Sequence, residues 1–235
     1  NRDEFHARPT APLATWEDHR IMAGRDLKSG GTWVGLGPNG RVAVITNVRE
    51  GLPPAFAGPS RGGLPVDFLR GDAPTLAHAT ALATEAGDSA PFNLVLADAE
   101  DCGYVGNHPA SGAHAVAPGV HGLSNGAFDA SWPKTRRLRE ALQAWVDAGL
   151  DDPAPLWQAL ADERLAADTE LPDTGVGLDL ERRLSPAFIR GHDYGTRAGT
   201  LILVGHDGRG RIHERRFGPD GVFEGETVLH GEPLL

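Results

Sequence analysis

The chain opens on four consecutive residues able to do polar chemistry, Asn1-Arg2-Asp3-Glu4. Side chains on a strand alternate, so Arg2 and Glu4 would share one face and Asn1 and Asp3 the other, and the sequence leaves open which face meets a site. Arg61 and Arg197 carry guanidinium forks suited to a carboxylate or phosphate, although a surface ion pair is the commoner fate of arginine. Arg25 and Asp26 read equally well as a substrate clamp or as an ordinary ion pair. Ten histidines raise the question of metal. No His-x-x-x-His or Cys-x-x-Cys spacing occurs, so a zinc site is not expected. His6, His19, His108, His114 and His121 could still converge on a haem iron. Cys102, the only cysteine, falls in an expected turn and reads as a small filler.

These residues need elements to hold them. Residues 32 to 47 predict a β-hairpin across Pro38-Asn39-Gly40, since an Asn-Gly pair supplies positive φ angles and the flanking runs are β-branched and aromatic. Asn47 then stands at a strand end. Helices are expected over Pro65 to Leu69 and Pro74 to Ala86, followed by a buried strand over Phe92 to Leu96. A meander of short strands follows at Tyr104 to Gly106, Ala113 to Val116 and Val120 to Leu123. Asn125, followed by Gly126, could serve a turn as readily as a site. From Pro133 to Ala148 the period becomes helical, with Leu138, Ala141, Leu142, Trp145 and Val146 on one stripe and Ser131 placed to cap. A further helix is expected from about Pro155 to Ala166, and an irregular loop rich in Gly, Pro and Asp over 168 to 195. Leu201 to Val204 and Ile212 to Phe217 form an expected antiparallel pair. The first is a continuous apolar run, which predicts a strand covered on both faces.

Strands, then helices, then strands imply segregated α+β layers, for which a four-layer α-β-β-α sandwich with two mainly antiparallel sheets is one solution. The length, 235 residues, favours a single domain over 1–235. A net charge of -10 argues against nucleic acid. Arg136, Arg137 and Arg139, and likewise Arg209, Arg211, Arg215 and Arg216, read as solvated faces. A single cysteine fits a cytoplasmic, reducing environment, and no stretch has the roughly 20 apolar residues of a membrane span.

Five segments in order resemble the NRDE-motif family, which includes the transport and Golgi organisation proteins of animals and many bacterial relatives. They are Asn1-Arg2-Asp3-Glu4-Phe5 with Arg8-Pro9, Gly24-Arg25-Asp26 with Gly30-Gly31-Thr32-Trp33-Val34-Gly35, Thr46-Asn47-Val48-Arg49, Ser60-Arg61-Gly62, and His121-Gly122-Leu123-Ser124-Asn125. Tyr194-Gly195-Thr196-Arg197 also looks familial. The family is similar in turn to the N-terminal-nucleophile hydrolases of linear amides. The resemblance therefore implies that fold, with Asn47 and Asn125 as oxyanion donors and Arg2 with Asp3 or Glu4 positioning a nucleophile. An uncharged carboxamide suits such a role because it stabilises developing negative charge without titrating.

The implied nucleophile is a cysteine that family members carry ahead of this tetrad. An asparagine carboxamide cannot replace it, so the thiol is expected from upstream of Asn1. The expected function is hydrolysis of a non-peptide carbon-nitrogen bond, with Arg2, Asp3, Asn47 and Asn125 at the reacting centre. Asn1, Glu4, Arg25, Thr32, Trp33, Arg61 and Arg197 are the expected substrate contacts. No cofactor is expected, and the partner is a small-molecule amide or hydrophobic acyl ligand. The alternative is a carrier of haem, acyl-CoA or a lipid-like ligand on the same fold.

Overall fold

The computed structural model describes residues 1–16, 21–51, 58 and 60–231. Two sheets dominate. Seven strands, β2 (Thr10–Trp16), β3 (Ile21–Asp26), β4 (Val34–Leu36), β5 (Val42–Asn47), β6 (Phe92–Ala97), β7 (Cys102–Gly106) and β8 (Gly112–Ala115), pair in sequence order as a meander. The second sheet takes β1 (Arg2–Phe5) from the chain start and pairs it with β9 (Tyr194–Val204), then β10 (Gly210–Phe217) and β11 (Phe223–Gly231). Every pairing is antiparallel.

The predicted hairpin is β4 and β5. Asn39 and Gly40 both adopt left-handed φ, 55° and 72°, which brings the strand ends together with the twist the sheet requires. Gly40 has no room for a side chain in any case, since a Cβ there would lie 2.7 Å from Val204.

Helices α1 (Gly63–Arg70) and α2 (Thr75–Glu85) cover the outer face of the seven-stranded sheet. Alternation decides what they cover: Ile21 and Ala23, Ala43, and Phe92, Leu94 and Leu96 point toward Val66, Phe68, Leu69 and Ala79. Burying each large apolar side chain contributes about 2 kcal/mol, which makes this layer the main source of stability. The opposite face of the sheet meets the four-stranded sheet through Leu13, Met22, Leu36 and Ile212, with Val42, Ile202 and Leu229 against them. On the far side, Trp157 of α4 (Ala154–Leu160) packs edge-on against His213 and beneath Arg215, and α4 packs on α3 (Pro133–Asp147). The layers run helix, sheet, sheet, helix, as an α-β-β-α sandwich.

Several expectations need correction. Val120 to Leu123 is not a strand. Asp129 takes the Gly122 N–H on its carboxylate and returns its own N–H to the Gly122 carbonyl, so this backbone closes a local loop instead of joining a sheet. Ser131 does not cap α3, whose cap position is Trp132, with Pro133 beginning the helix. The helix expected to reach Ala166 stops at Leu160, and beyond it the Asp162 carbonyl is committed to the Phe188 N–H. The irregular segment holds a short helix, α5 (Leu178–Arg183), and β9 begins at Tyr194, seven residues before the apolar run that signalled it. That run is not covered on both faces: Leu201, Ile202 and Leu203 are half-buried and Val204 is exposed. The basic clusters face acids, Arg136 with Glu170, Arg137 with Asp162 and Arg215 with Glu226. No described helix is long and apolar enough to cross a membrane.

Candidate functional site

At one end of the space between the sheets lies a cavity of about 700 Å³. All four residues of the opening tetrad border it, which strict strand alternation would forbid. The register shifts between Arg2 and Asp3, and this irregularity breaks the alternation. Asn1 donates from its carboxamide to the carbonyls of Leu160 and Ala187, at 2.8 and 2.6 Å, and so anchors the strand to the end of α4 and to the loop before β9. Arg2 lies 4.2 Å above the Trp33 ring and donates to the Thr10 hydroxyl at 3.2 Å, with Glu4 at 4.0 Å. Burial depresses its pKa, against the opposing pull of Glu4. Asp3 accepts the Thr196 hydroxyl at 2.6 Å, and that hydroxyl oxygen in turn accepts the Ile189 N–H. Glu4 and Asp26 are both drawn to Arg8, at 3.6 and 2.6 Å. Burial alone would raise the Asp26 pKa, but hydrogen bonds from Arg8 and from the Lys28 and Ser29 N–H groups outweigh it and lower it.

The two asparagines, 78 residues apart, meet on the same wall. Asn125 donates from its carboxamide to the Asn47 carbonyl at 3.0 Å, and the Asn125 carbonyl accepts the Arg49 N–H at 2.7 Å. The Asn47 carboxamide is exposed at the end of β5 and makes no hydrogen bond among the described residues, so both its N–H groups are free to donate. Asn125 has one N–H left. The loop carrying Asn125 is held from below. Thr46 donates to the Ser124 carbonyl at 2.7 Å, and Asn93 donates to the Thr46 hydroxyl and to the Gly126 carbonyl at 3.2 and 2.9 Å. The Asn93 oxygen accepts the Tyr104 hydroxyl at 2.6 Å.

Three further cations, Arg61, Lys134 and Arg139, border the cavity. Arg61 donates to the Pro91 carbonyl at 2.8 Å, and its turn packs so tightly on the segment before Thr32 that a Cβ on Gly31 would lie 2.3 Å from the Gly62 backbone. Lys134 is buried at the first turn of α3, with its ammonium donating to the Leu184 carbonyl at 3.0 Å. Burial lowers its pKa, and the field of Asp3 opposes that shift. Thr32 and Trp33 also line the cavity. Thr32 turns its hydroxyl to the Val34 carbonyl, and the buried Trp33 indole N–H finds no acceptor among the described residues.

Two expected substrate contacts lie elsewhere. Arg25 stacks on Trp16 at 4.6 Å and donates to the Gly30 carbonyl, outside the cavity lining, and Asp26 pairs with Arg8 instead. Arg197 donates to the carbonyls of Phe5 and Arg8 and to the Thr10 hydroxyl, tying β9 to the turn after β1, and does not line the cavity.

Among the described residues no group of three His, Cys, Asp or Glu could hold a metal ion, while His114 and His121 both pack against the Phe128 ring, at 5.9 and 5.3 Å. His19 lies outside those residues. His108 faces Glu50, and His114 stacks with Tyr104. His6 is separate, and burial lowers its pKa. His121 lines the cavity, with one ring nitrogen 2.7 Å from Asp129 and the other 2.9 Å from the Ala117 carbonyl. Cys102 is half-buried on β7, where burial pushes its thiol pKa up.

A sequence profile described as Transport and Golgi organisation 2 matches residues 1–219. The chain belongs to the Transport and Golgi organisation 2 family. Relatives in this family include the Transport and Golgi organization protein 2 homolog of Bos taurus, 30% identical over 250 residues, which cover 98% of this chain and 89% of the relative. The human homolog of the same name is 30% identical over 246 residues, covering 97% of this chain and 88% of its own. The mouse Transport and Golgi organization 2 homolog is 29% identical over 234 residues, 92% of this chain and 84% of its own. The match spans every element that builds the cavity.

The sequence reading missed Lys134, Thr46, Asn93 and Tyr104. A signal existed for two of them. Asn93 interrupts an otherwise apolar strand, and Lys134 sits at a helix start, where the helix dipole disfavours a cation.

Proposed function

We propose that this member of the Transport and Golgi organisation 2 family hydrolyses linear, non-peptide amide bonds in the cavity beside Arg2, Asp3, Asn47 and Asn125. The carrying observation is the unengaged Asn47 carboxamide, held next to Asn125 on a wall facing the charged tetrad. A thiol ahead of Asn1, as the resemblance implies, would attack the amide carbonyl. Its developing oxyanion would accept from the Asn47 carboxamide and the remaining Asn125 N–H, the amine would leave with a proton, and water would then cleave the thioester. Such pre-set donors cost no reorganisation when charge appears, which is why they suit this step. The single cysteine in the sequence supports a cytoplasmic, reducing compartment for such a thiol.

An apolar strip of Val42, Val44, Leu138, Leu142 and Ile202 supports a second reading, a carrier that holds an acyl ligand without turnover. Pre-steady-state assays of the full-length protein with chromogenic N-acyl anilides separate the two. A burst of amine stoichiometric with protein supports the hydrolase. Retention of the intact acyl anilide, with no amine released across chain lengths, supports the carrier and overturns the hydrolase.

A further inference from the structure

A second cavity, of about 320 Å³, lies on the outer face of the four-stranded sheet beside α4, and Asn1 alone borders both it and the space between the sheets. Gly199 opens it. Gly199 pairs with Arg215 across β9 and β10, and Arg215 with Glu226 across β10 and β11, so the three form one row on the outer face. A Cβ on Gly199 would lie 3.2 Å from the Trp157 ring and 3.0 Å from the Asn1 carboxamide oxygen, so any larger residue would intrude on this space. The walls are aromatic. Opposite Trp157, Phe188 meets Phe217 edge-to-face at 4.9 Å, and Phe217 meets Phe223 at 6.1 Å. Phe223 is 55% exposed, so much of this wall faces water. The two charges in the row offset each other: Arg215 lies 4.4 Å over the Trp157 ring and donates its Nε–H to Glu226 at 3.1 Å. The terminal N–H groups of Arg215 meet no acceptor among the described residues. An aromatic ring entering here meets rings already in place to pack on it, and an acceptor atom on that ring completes the guanidinium. A carboxylate would have Glu226 beside it, so the row favours an uncharged guest. The volume is at the small end of ligand sites, which suits one or two fused rings.

We propose that this outer cavity is a second binding site, for a small, uncharged, planar aromatic molecule bearing a hydrogen-bond acceptor, such as a nitrogen heterocycle, which packs between Trp157 and the phenylalanine wall and turns its acceptor to Arg215. Arg2, Asp3, Asn47 and Asn125 take no part in it, so a protein that never turns over an amide leaves the site standing.

The test is a titration of the full-length protein followed by proton–nitrogen NMR. The indole N–H signals of Trp157 and Trp33, assigned as those lost in Trp157→Phe and Trp33→Phe, report separately on the outer cavity and on the space between the sheets. Quinoline, indole and quinoline-2-carboxylate serve as probes, being fused bicycles that present an acceptor, a donor and an anion. Quinoline should move the Trp157 signal saturably and bind about fivefold or more tighter than indole, with the carboxylate weaker than quinoline. Arg215→Met should bring quinoline down to the affinity of indole and leave indole unchanged. Ala161→Phe, at an exposed position on the lip of the cavity, should abolish the Trp157 response at an unchanged melting temperature. Responses confined to Trp33, or a Trp157 signal unmoved at the limit of quinoline solubility, overturn the proposal. So do equal affinities for quinoline and indole, tighter binding of the carboxylate, or quinoline binding unchanged in both variants when their melting temperatures match the parent.

Discussion

The space between the two sheets has two ends built on opposite principles. At one, Leu13, Met22, Leu36 and Ile212 close on each other, with Leu229 over them. At the other, Arg2, Asp3, Lys134 and Asn47 stand around open volume. Glu214 marks the seam: it is almost fully buried, accepts the Leu13 N–H at 2.8 Å, and has its pKa raised by burial, with the field of Arg2 among the opposing influences. The comparison teaches that the same pair of sheets can be glued or held apart, depending on whether inward positions carry hydrocarbon or charge. The closed end stabilises the fold; the open end uses that stability to hold groups that oppose folding.

Substitutions can break this contrast from either side. The largest effect is expected from Leu36→Ala at the closed end, a loss of about 2–5 kcal/mol in denaturant unfolding with affinity for the acyl anilide unchanged while the protein stays folded. Affinity falling in step with stability would show that the two ends are not separable. Asn47→Ala at the open end should do the reverse, lowering amide turnover by a hundredfold or more, about 3 kcal/mol of barrier, at constant melting temperature. Unchanged turnover with a lower melting point would reduce Asn47 to a loop residue.

Asn93→Ala sharpens the comparison, because this residue is buried yet serves the open end. Losing it leaves the Tyr104 hydroxyl and the Gly126 carbonyl unmatched, at about 1–3 kcal/mol, and should also reduce turnover by loosening the Asn125 loop. The smallest effect concerns pH. The hydrogen bond to Asp129, then that to the Ala117 carbonyl, raise the His121 pKa above the ordinary histidine value. Its contribution is therefore complete below about pH 6.5 and is lost as pH rises through the higher folded-state pKa. The melting temperature should drift down slightly across that window, and Asp129→Asn should flatten the drift.

Local chemistry made much of this legible. The Asn39-Gly40 turn, the helices α1 to α3, and Asn47 at a strand end all follow from turn residues and periodicity, which act over a few positions. The segments that resemble the family were legible too, and the family match over residues 1–219 agrees with them. What sequence did not disclose was direction across space. Arg25 and Arg197 are of the same residue type as Arg61, yet one stacks on Trp16 and one braces the turn after β1. Lys134, which the sequence did not single out, is buried, with its ammonium on the Leu184 carbonyl. Small residues such as Gly195, Ala198 and Gly199 hid the first half of β9, because strand propensity is weak where packing against a neighbour, here β1, decides the outcome.

The exit of β5 carries one more feature of consequence. Arg49 meets Glu181 at 2.8 Å, with 11% and 3% of their side chains exposed, while the other Glu181 oxygen accepts the Thr174 hydroxyl and N–H. Separating such a pair strands a charge away from water, at about 3–5 kcal/mol. The long segment before β9 is thereby riveted two residues beyond Asn47, and there it acts as masonry instead of a door. Moving this segment aside at Asn47 would first require parting that pair.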